Sequence, residues 1–201
     1  MPRPRVAVLS PERIADAGLE LVNSGEPFGV NAIARRLGVR PSSLYNHVDG
    51  RDGIIELMRG RLVARYAVHP EAGERWDGFL LRLMRAHRRM YADHPLLVPL
   101  LVGKTITHPA VIDAYDELAT ALAEAGFPDG EILTLVTLID AFAIGFGLDL
   151  ASPADVWRAD GPTRTLGRVL ADESDRGARA EGAFELAAHV LLDSLRARLG
   201  A

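Results

Sequence analysis

The stretch VNAIARRLGVRPSSLYNHV, residues 30–48, contains two short helical patterns on either side of one glycine. In each pattern the apolar residues recur at helical spacing: Ile33, Ala34 and Leu37 in the first, and Leu44 and Val48 in the second. Gly38 stands between them and can adopt the left-handed conformation that ends a helix. The second pattern begins within three residues of that glycine. The spacing therefore predicts two short helices joined by a sharp turn.

This arrangement is typical of a helix-turn-helix, in which the second helix lies in the major groove of DNA. The small side chain of Ala34 lets the helices cross closely, while Leu44 and Val48 hold the second helix inward. The outward side chains are then of the kinds that contact base edges and phosphates: Arg40, Ser42, Ser43, Tyr45, Asn46 and His47. Arg51 follows at the next helix start, where a cation and backbone N–H groups can hold a phosphate. The alternative is a solvated polar surface on an ordinary helical bundle.

The charge distribution indicates a local basic surface within a slightly acidic protein. The formal net charge of the chain is −4. Residues 31–66 contain seven arginines and three acidic residues, a surplus of +4, so the rest of the chain carries −8. Binding of nucleic acid by the whole surface is therefore not expected.

Composition sets the class of protein. The chain has 201 residues, of which 48% are hydrophobic, enough to build a core. The absence of cysteine excludes disulfides and thiolate metal sites, and six scattered histidines are few for a metal site, so we expect no metal and no cofactor. The first residues, MPRPRVAVLSPER, contain an apolar run too short for a signal peptide or a membrane span. We expect a cytoplasmic protein.

Helical patterns cover most of the remaining sequence. Ser10 as N-cap and Pro11 at the first position predict a helix that ends at Gly25. A fourth helix is predicted after the turn at residues 49–50, with apolar residues at helical spacing as far as Val63. Later helices are predicted over residues 76–93, 96–104 (broken), 110–125, 131–151 and 181–199, and a mobile loop with at most a short helix over 152–180.

No strand alternation or internal repeat is found, so the predicted fold class is all-α. We divide the chain into two domains. Residues 1–58 form an N-terminal helix-turn-helix domain of three helices. Residues 59–201 form a C-terminal helical bundle for ligand binding and dimerisation.

The stretch LSPERIADAGLELVNSGEPFGVNAIARRLGVRPSSLYNHVDGRDGIIELM resembles the N-terminal domain of the tetracycline-repressor (TetR) family of transcriptional regulators. The similarity covers about 50 contiguous residues and includes the AxxLGV corner and the SLYxHV helix. It implies base contacts from Asn31, Arg40, Pro41, Ser42, Ser43 and Asn46, and phosphate contacts from Tyr45, His47, Arg51 and the backbone of Val30. The family often has threonine where Val30 stands, so one hydroxyl contact is missing here.

The C-terminal sequence resembles the tetracycline-repressor subgroup of the same family, through ERWDGFLLRLMRAHRRM and AEAGFPDGEILTLVTLIDAFAIGFGLDL. In that subgroup an asparagine and a phenylalanine hold the antibiotic, and a histidine holds its magnesium. Leu83, His87 and about Leu101 occupy the matching places here. Both the polar anchor and the metal ligand are absent, so magnesium-tetracycline is not the expected effector.

Pockets between the helices of a bundle are mostly apolar and contain a few converging polar groups. Residues of both kinds are candidates for an effector site: Leu83, Met84, Met90, Phe142 and Phe146 as apolar contacts, His87 and Asp140 as polar contacts, and Trp157 on an entry loop. The alternative is that the apolar residues are ordinary core and that His87, within RAHRR, faces water.

Two C-terminal segments predict a homodimer. Residues 132–150 are apolar on nearly all sides, so this helix must be buried on more than one side. A membrane span is the rival interpretation, and Asp140, Gly145 and Gly147 argue against it. The last helix has apolar residues every three or four positions: Phe184, Ala187, Ala188, Leu191, Leu192, Leu195 and Leu199. Two such helices from each chain would make a four-helix interface.

These features together predict a ligand-responsive DNA-binding transcriptional regulator. We expect a repressor whose twofold dimer binds a palindromic double-stranded operator and is released by a small, largely apolar effector. We expect the fourth helix to transmit effector binding to the DNA-binding helices. The alternative is a helical small-molecule-binding or interaction module without specific DNA binding. An enzyme is not expected, because no phosphate loop, His-Glu-x-x-His motif, nucleophile elbow or cysteine is present.

Overall fold

The computed structural model describes residues 9–200, except 154–155, 158–163 and 173–175. Over these residues the chain forms ten α-helices and no strand, which confirms the predicted all-α fold. The helices are α1 (Pro11–Asn23), α2 (Val30–Leu37), α3 (Pro41–Leu44), α4 (Gly50–Arg65), α5 (Trp76–Asp93), α6 (Val98–Leu101), α7 (Pro109–Ala125), α8 (Asp129–Ala151), α9 (Thr165–Asp172) and α10 (Arg176–Leu199).

The helices form two compact units. The first comprises the described residues up to His69 together with His94–Thr120, and the second comprises Pro70–Asp93 and the described residues from Ala121 onward. The predicted domain boundary between residues 58 and 59 falls inside α4, which continues to Arg65. α7 begins in the first unit and ends in the second.

In the first unit, α1 packs on α4. The Ser10 hydroxyl accepts a hydrogen bond from the Arg13 backbone N–H at 3.3 Å, so Ser10 caps α1 as predicted. The two helices approach closely at Gly18, where a Cβ would lie 2.7 Å from Met58 Sδ. Glycine at this position leaves room for the thioether of Met58, which would have to shift to admit a methyl group.

The α2–α3 corner has the predicted geometry. Gly38 has a φ of 67°, in the left-handed region, and ends α2. Ala34 and Leu44 are buried on either side of the turn, and Val48 is buried beyond it. The second helix is shorter than its pattern suggested, because α3 ends at Leu44. The Leu44 carbonyl accepts hydrogen bonds from the N–H groups of residues 47 and 48, so Tyr45–His47 continue the chain as a turn.

Side chains of α4 hold the segment that leads into α7. Arg59 donates a hydrogen bond to the Leu101 carbonyl at 3.1 Å and pairs with Glu56 at 3.3 Å. Glu56 Oε2 accepts hydrogen bonds from the backbone N–H groups of Thr107, at 2.7 Å, and His108, at 3.1 Å. These contacts explain why His94–Thr120 belong to the same unit as the helix-turn-helix.

The second unit is built on α5, α8 and α10, which pack on one another. A Cβ at Gly147 of α8 would lie 2.6 Å from Tyr91 Cβ, so glycine permits the close approach of α8 to α5. Arg88 of α5 is buried, and it pairs with Glu181 of α10 at 2.6 Å. The predicted start of the last helix at residue 181 was wrong, because α10 begins at Arg176 and takes up residues assigned to a loop. α9 is the short helix expected within residues 152–180.

The Gly60→Ala substitution should destabilise the first unit. A Cβ at Gly60 would overlap the imidazole ring of His108, which lies directly against this glycine. Overpacking of this kind costs about 1–3 kcal/mol. Urea denaturation followed by circular dichroism measures the free energy of unfolding.

The matched control is Gly130→Ala in α8, where nothing lies within 4 Å of the added methyl group. This variant should be as stable as the parent protein or slightly more stable. The double variant Gly60→Ala, His108→Ala should recover most of the lost stability. A loss unaffected by the second substitution would contradict the steric explanation.

Candidate functional site

The α3 helix and the turn that follows it present polar side chains to solvent. Tyr45 is 60% exposed, and Ser43 is half-buried. The other residues predicted to contact DNA from this region are all exposed: Arg40, Pro41, Ser42, Asn46 and His47. Leu44 and Val48 are buried and fix the backbone between them. The structure therefore brings the six predicted side chains and Pro41 onto one short, anchored segment.

The α2 helix adds a second exposed group of polar residues. Asn31 is exposed and Val30 is half-buried at the start of this helix. Arg35 lies four residues after Asn31, so the two side chains are neighbours on one helix face, and Arg35 is also exposed. Arg35 was not among the predicted site residues, although its spacing of four residues from Asn31 indicates the shared helix face.

The seven arginines of residues 31–66 divide into two groups. Four of them pair with carboxylates: Arg36 with Glu20, Arg59 with Glu56, and Arg61 and Arg65 with Asp16. The other three have no carboxylate partner among the described residues: Arg35, Arg40 and Arg51. Unneutralised positive charge is therefore found on α2, just before α3, and at the start of α4.

Arg51 has a different kind of neighbour. It is the second residue of α4, as its predicted role requires. Its Cζ atom lies 4.9 Å from the centre of the Phe28 ring, within the range of a cation–π contact. Phe28 stands in the loop between α1 and α2 and is half-buried.

Some candidate effector residues of the second unit are buried in its core, and others belong to an aromatic cluster. Leu83, Met84 and Met90 are buried, so ordinary core packing explains them without a ligand. Phe142 and Phe146 of α8 are half-buried, and their ring centres lie 4.7 Å apart. Both rings are 5.6 Å from the ring of Phe184. Phe184 belongs to this aromatic cluster, although its helical spacing had placed it in the predicted dimer interface.

His87 is the polar candidate with an unused hydrogen-bonding atom. Its Nδ1 is buried and has no hydrogen-bond partner. Burial lowers the pKa of His87 below its ordinary value, against the attraction of the Asp140 carboxylate, which raises it. The imidazole is therefore neutral at pH 7. Trp157 is exposed, and the Arg179 guanidinium lies 4.7 Å from its ring centre. No three His, Asp or Glu side chains come together as a metal site within the described residues.

α8 and α10 each expose large apolar side chains. Leu133 of α8 is 78% exposed, and Leu138 and Leu148 are also exposed. On α10, Leu186 is 68% exposed and Val190 is 61% exposed. α8 is long and apolar enough to cross a membrane, and only 28% of its apolar 18-residue stretch is buried within the chain.

One predicted interface face was wrong. Four residues of the apolar series on the last helix are buried within the second unit: Phe184, Ala188, Leu192 and Leu195. The pattern correctly identified a buried face but assigned it to a second chain. The opposite face of α10 is the one left uncovered.

The chain is similar to known proteins in both sequence and fold. Residues 69–173, about half of the chain, match the family model described as "Tetracyclin repressor-like, C-terminal domain". An HTH-type transcriptional regulator of Saccharopolyspora erythraea is 26% identical over 153 residues, which cover 75% of this chain and 63% of that protein. The chain thus spans less than two thirds of the length of this relative.

Two further proteins match over nearly the whole chain. The tetracycline repressor protein class A from transposon 1721 of Escherichia coli is 27% identical over 200 residues, which cover 94% of this chain and 92% of that protein. The solved structure of apo ActR from Streptomyces coelicolor is 20% identical and has a TM-score of 0.79. It covers 98% of this chain and 99% of its own, so the two have the same fold.

Burial of His87 should make the protein sensitive to mild acid. Because the pKa of His87 is lowered in the folded state, the unfolded chain binds the proton more readily as the pH falls below about 6.5. Stability contributed by the neutral form is therefore lost as the pH falls. Urea denaturation at about pH 7 and about pH 5.5 measures this difference. We expect the difference to be smaller in His87→Gln than in the parent protein.

His47→Gln is the matched control, because it removes a histidine that is exposed instead of one that the fold buries. The stability of this variant should follow the pH dependence of the parent more closely than that of His87→Gln does. An identical pH dependence in all three proteins would show that His87 is not held neutral by the fold.

Proposed function

Because the chain belongs to the tetracycline-repressor-like (TetR) family of transcriptional regulators, which are not enzymes, we propose that it is a DNA-binding repressor released from its operator by a small molecule. Three guanidinium groups carry this proposal, those of Arg35, Arg40 and Arg51, because none of them pairs with a carboxylate of the described residues. They lie on or beside the helix-turn-helix, whereas the arginines of α4 that follow Arg51 are neutralised.

The α3 segment, residues 40–48, would enter the major groove. The guanidinium of Arg40 can donate two hydrogen bonds to guanine. The amide of Asn46 can donate one hydrogen bond to adenine and accept another from it. Asn31, Pro41, Ser42 and Ser43 would make the remaining base contacts. The phosphates on either side would be held by Tyr45, His47, Arg51 and the backbone N–H of Val30. Arg35, one turn from Asn31 on α2, adds a further phosphate contact.

A second copy of the chain would cover the apolar faces of α8 and α10. An exposed leucine or valine on its own is ordinary, but five of them on two neighbouring helices, Leu133, Leu138, Leu148, Leu186 and Val190, favour an interaction surface. Pairing of α8 and α10 with their counterparts makes a four-helix interface about a twofold axis. We therefore infer a soluble cytoplasmic homodimer whose two α3 segments are about 34 Å apart, which requires a palindromic operator.

The effector would bind in the second unit beside the aromatic cluster. Phe142, Phe146 and Phe184 offer an apolar surface, and the unpaired Nδ1 of His87 offers one polar contact, with Asp140 beside it. Leu83, Met84, Met90 and Trp157 complete the proposed lining. One of the relatives is named for tetracycline. Leu83 and about Leu101 stand here where that subgroup has its polar anchor and its metal ligand, so we expect a different, largely apolar molecule.

Release of the protein from its operator requires that the effector bind one conformation of the protein more tightly than the DNA-binding one. α4 is suited to transmit this difference because it begins two residues after the α3 segment ends. Its Glu56 and Arg59 hold the segment that leads into α7. A shift of that segment would move α4 and, through it, the spacing of the two α3 segments.

Substitution of base-reading residues should abolish sequence preference. We propose first to select bound duplexes from a random pool with the parent protein. Arg40→Ala and Asn46→Ala should each weaken binding to the selected duplex by about 10- to 100-fold, since each removes one bidentate base contact. Binding to random duplex should change much less. Fluorescence anisotropy at several salt concentrations measures both affinities.

Arg65→Ala is the control, because it also removes one positive charge but from a residue that pairs with Asp16. It should change both affinities by less than about twofold. Equal losses in Arg40→Ala and Arg65→Ala would mean that only the overall charge matters. If the parent selects no duplex and its binding is insensitive to salt, the protein is an interaction module without DNA binding.

The proposed dimer predicts the effect of a charge on its interface. Leu133→Glu and Leu186→Glu place a carboxylate on the exposed faces of α8 and α10. Both variants should be monomeric in sedimentation equilibrium and should bind the selected duplex at least about 100-fold more weakly, because each half-site is then bound independently. Leu96→Glu, at an exposed leucine of the first unit, should remain dimeric. Dimers in all three variants would rule out this interface.

A further inference from the structure

Phe28 is a side chain that neither the core nor the proposed DNA contacts account for. It lies in the loop between α1 and α2 and is half-buried, and it is not one of the buried apolar residues that form the core of the first unit. Its ring faces the guanidinium of Arg51, at 4.9 Å from Cζ to the ring centre. A loop residue and a helix N-terminal residue, 23 positions apart in the sequence, are thus brought together.

An aromatic ring leaves the charge of Arg51 available to bind a phosphate, whereas a carboxylate would neutralise it. Arg61 donates hydrogen bonds to both carboxylate oxygens of Asp16, at 2.8 and 3.0 Å, so its charge is neutralised and two of its donors are used. An aromatic ring attracts the cation through its π-electrons but carries no charge of its own. Arg51 therefore keeps its full positive charge, and no described carboxylate competes with a phosphate for it.

We infer that Phe28 is a positioning residue for DNA binding, which holds the Arg51 guanidinium at the start of α4 before the phosphate arrives. The inference rests on the proposed function. A free arginine side chain loses much rotamer freedom when it binds a phosphate. A side chain already restrained by the Phe28 ring loses less, so the same contact yields a higher affinity.

A double-mutant cycle on the full-length protein tests this inference. The four proteins are the parent, Phe28→Leu, Arg51→Ala and the double variant, each titrated with the duplex selected by the parent. Phe28→Leu should weaken binding by about three- to tenfold, the range expected for one cation–π contact. In the Arg51→Ala background the same substitution should change affinity by less than about twofold. The salt dependence of Arg51→Ala should correspond to about one fewer phosphate contact.

Phe28→Tyr is the matched control, since it keeps an aromatic face toward Arg51 and should bind within about twofold of the parent. Unfolding in urea, measured for every variant, reports any loss of folded protein. An equal effect of Phe28→Leu in both backgrounds, or none in the parent background, would overturn the inference while leaving DNA binding intact. If the parent itself selects no duplex, the proposed function fails, and this inference fails with it.

Discussion

The burial of Leu44 and Val48 is the constraint on which the proposed DNA-reading surface depends. α3 has only four residues, and a helix of one turn is not stable by itself because nucleation costs more than its few hydrogen bonds return. It persists because Leu44 is fully buried and Val48 nearly so. The left-handed Gly38 delivers the chain to this position from α2. With two side chains fixed inward, the intervening polar residues must point outward, and their positions are set by packing beneath them.

The same unit controls where its positive charge is available. A net charge of −4 opposes DNA binding only weakly, because charges more than about 8 Å apart are largely screened at physiological salt. What matters is the local pattern. Asp16 and Glu56 neutralise arginines along α4, and Glu20 neutralises Arg36 on α2. The unneutralised arginines that remain are at the helix-turn-helix, so the carboxylates confine the basic surface as much as the arginines create it.

The sequence predicted those features that depend on local spacing. The bounds of α2 and α5, the cap at Ser10 and the glycine turn at Gly38 all follow from residues within a few positions of one another, and the structure confirms them. Features that depend on contacts between distant segments were missed. Glu56 reaches Thr107, and Phe28 reaches Arg51, across separations of 51 and 23 residues. No periodicity in a single sequence indicates such pairs.

The last helix shows that periodicity predicts a buried face but not which chain buries it. Its apolar series correctly predicted a buried face, but a face buried within one chain and a face buried between two chains have the same period. Only the packing of α5 and α8 on α10 decides between them. The aromatic cluster illustrates this, since Phe184 packs on Phe142 and Phe146 of its own chain. Leu186 and Val190, which the series omitted, are large apolar residues that this helix leaves exposed.

α8 raises the question of which surroundings can accept its apolar outer face, lipid or a second chain. Its inner face is held against α5 so closely that Gly147 leaves no room for a methyl group beside Tyr91. α5 carries Arg88, whose guanidinium is paired with Glu181 of α10. A bilayer around α8 would have to accommodate this ion pair or separate the helices, and either would be costly. The proposed second copy of the chain would cover the same face without disturbing the inner one, and it would also supply the twofold symmetry that two helix-turn-helix units need to bind adjacent major grooves.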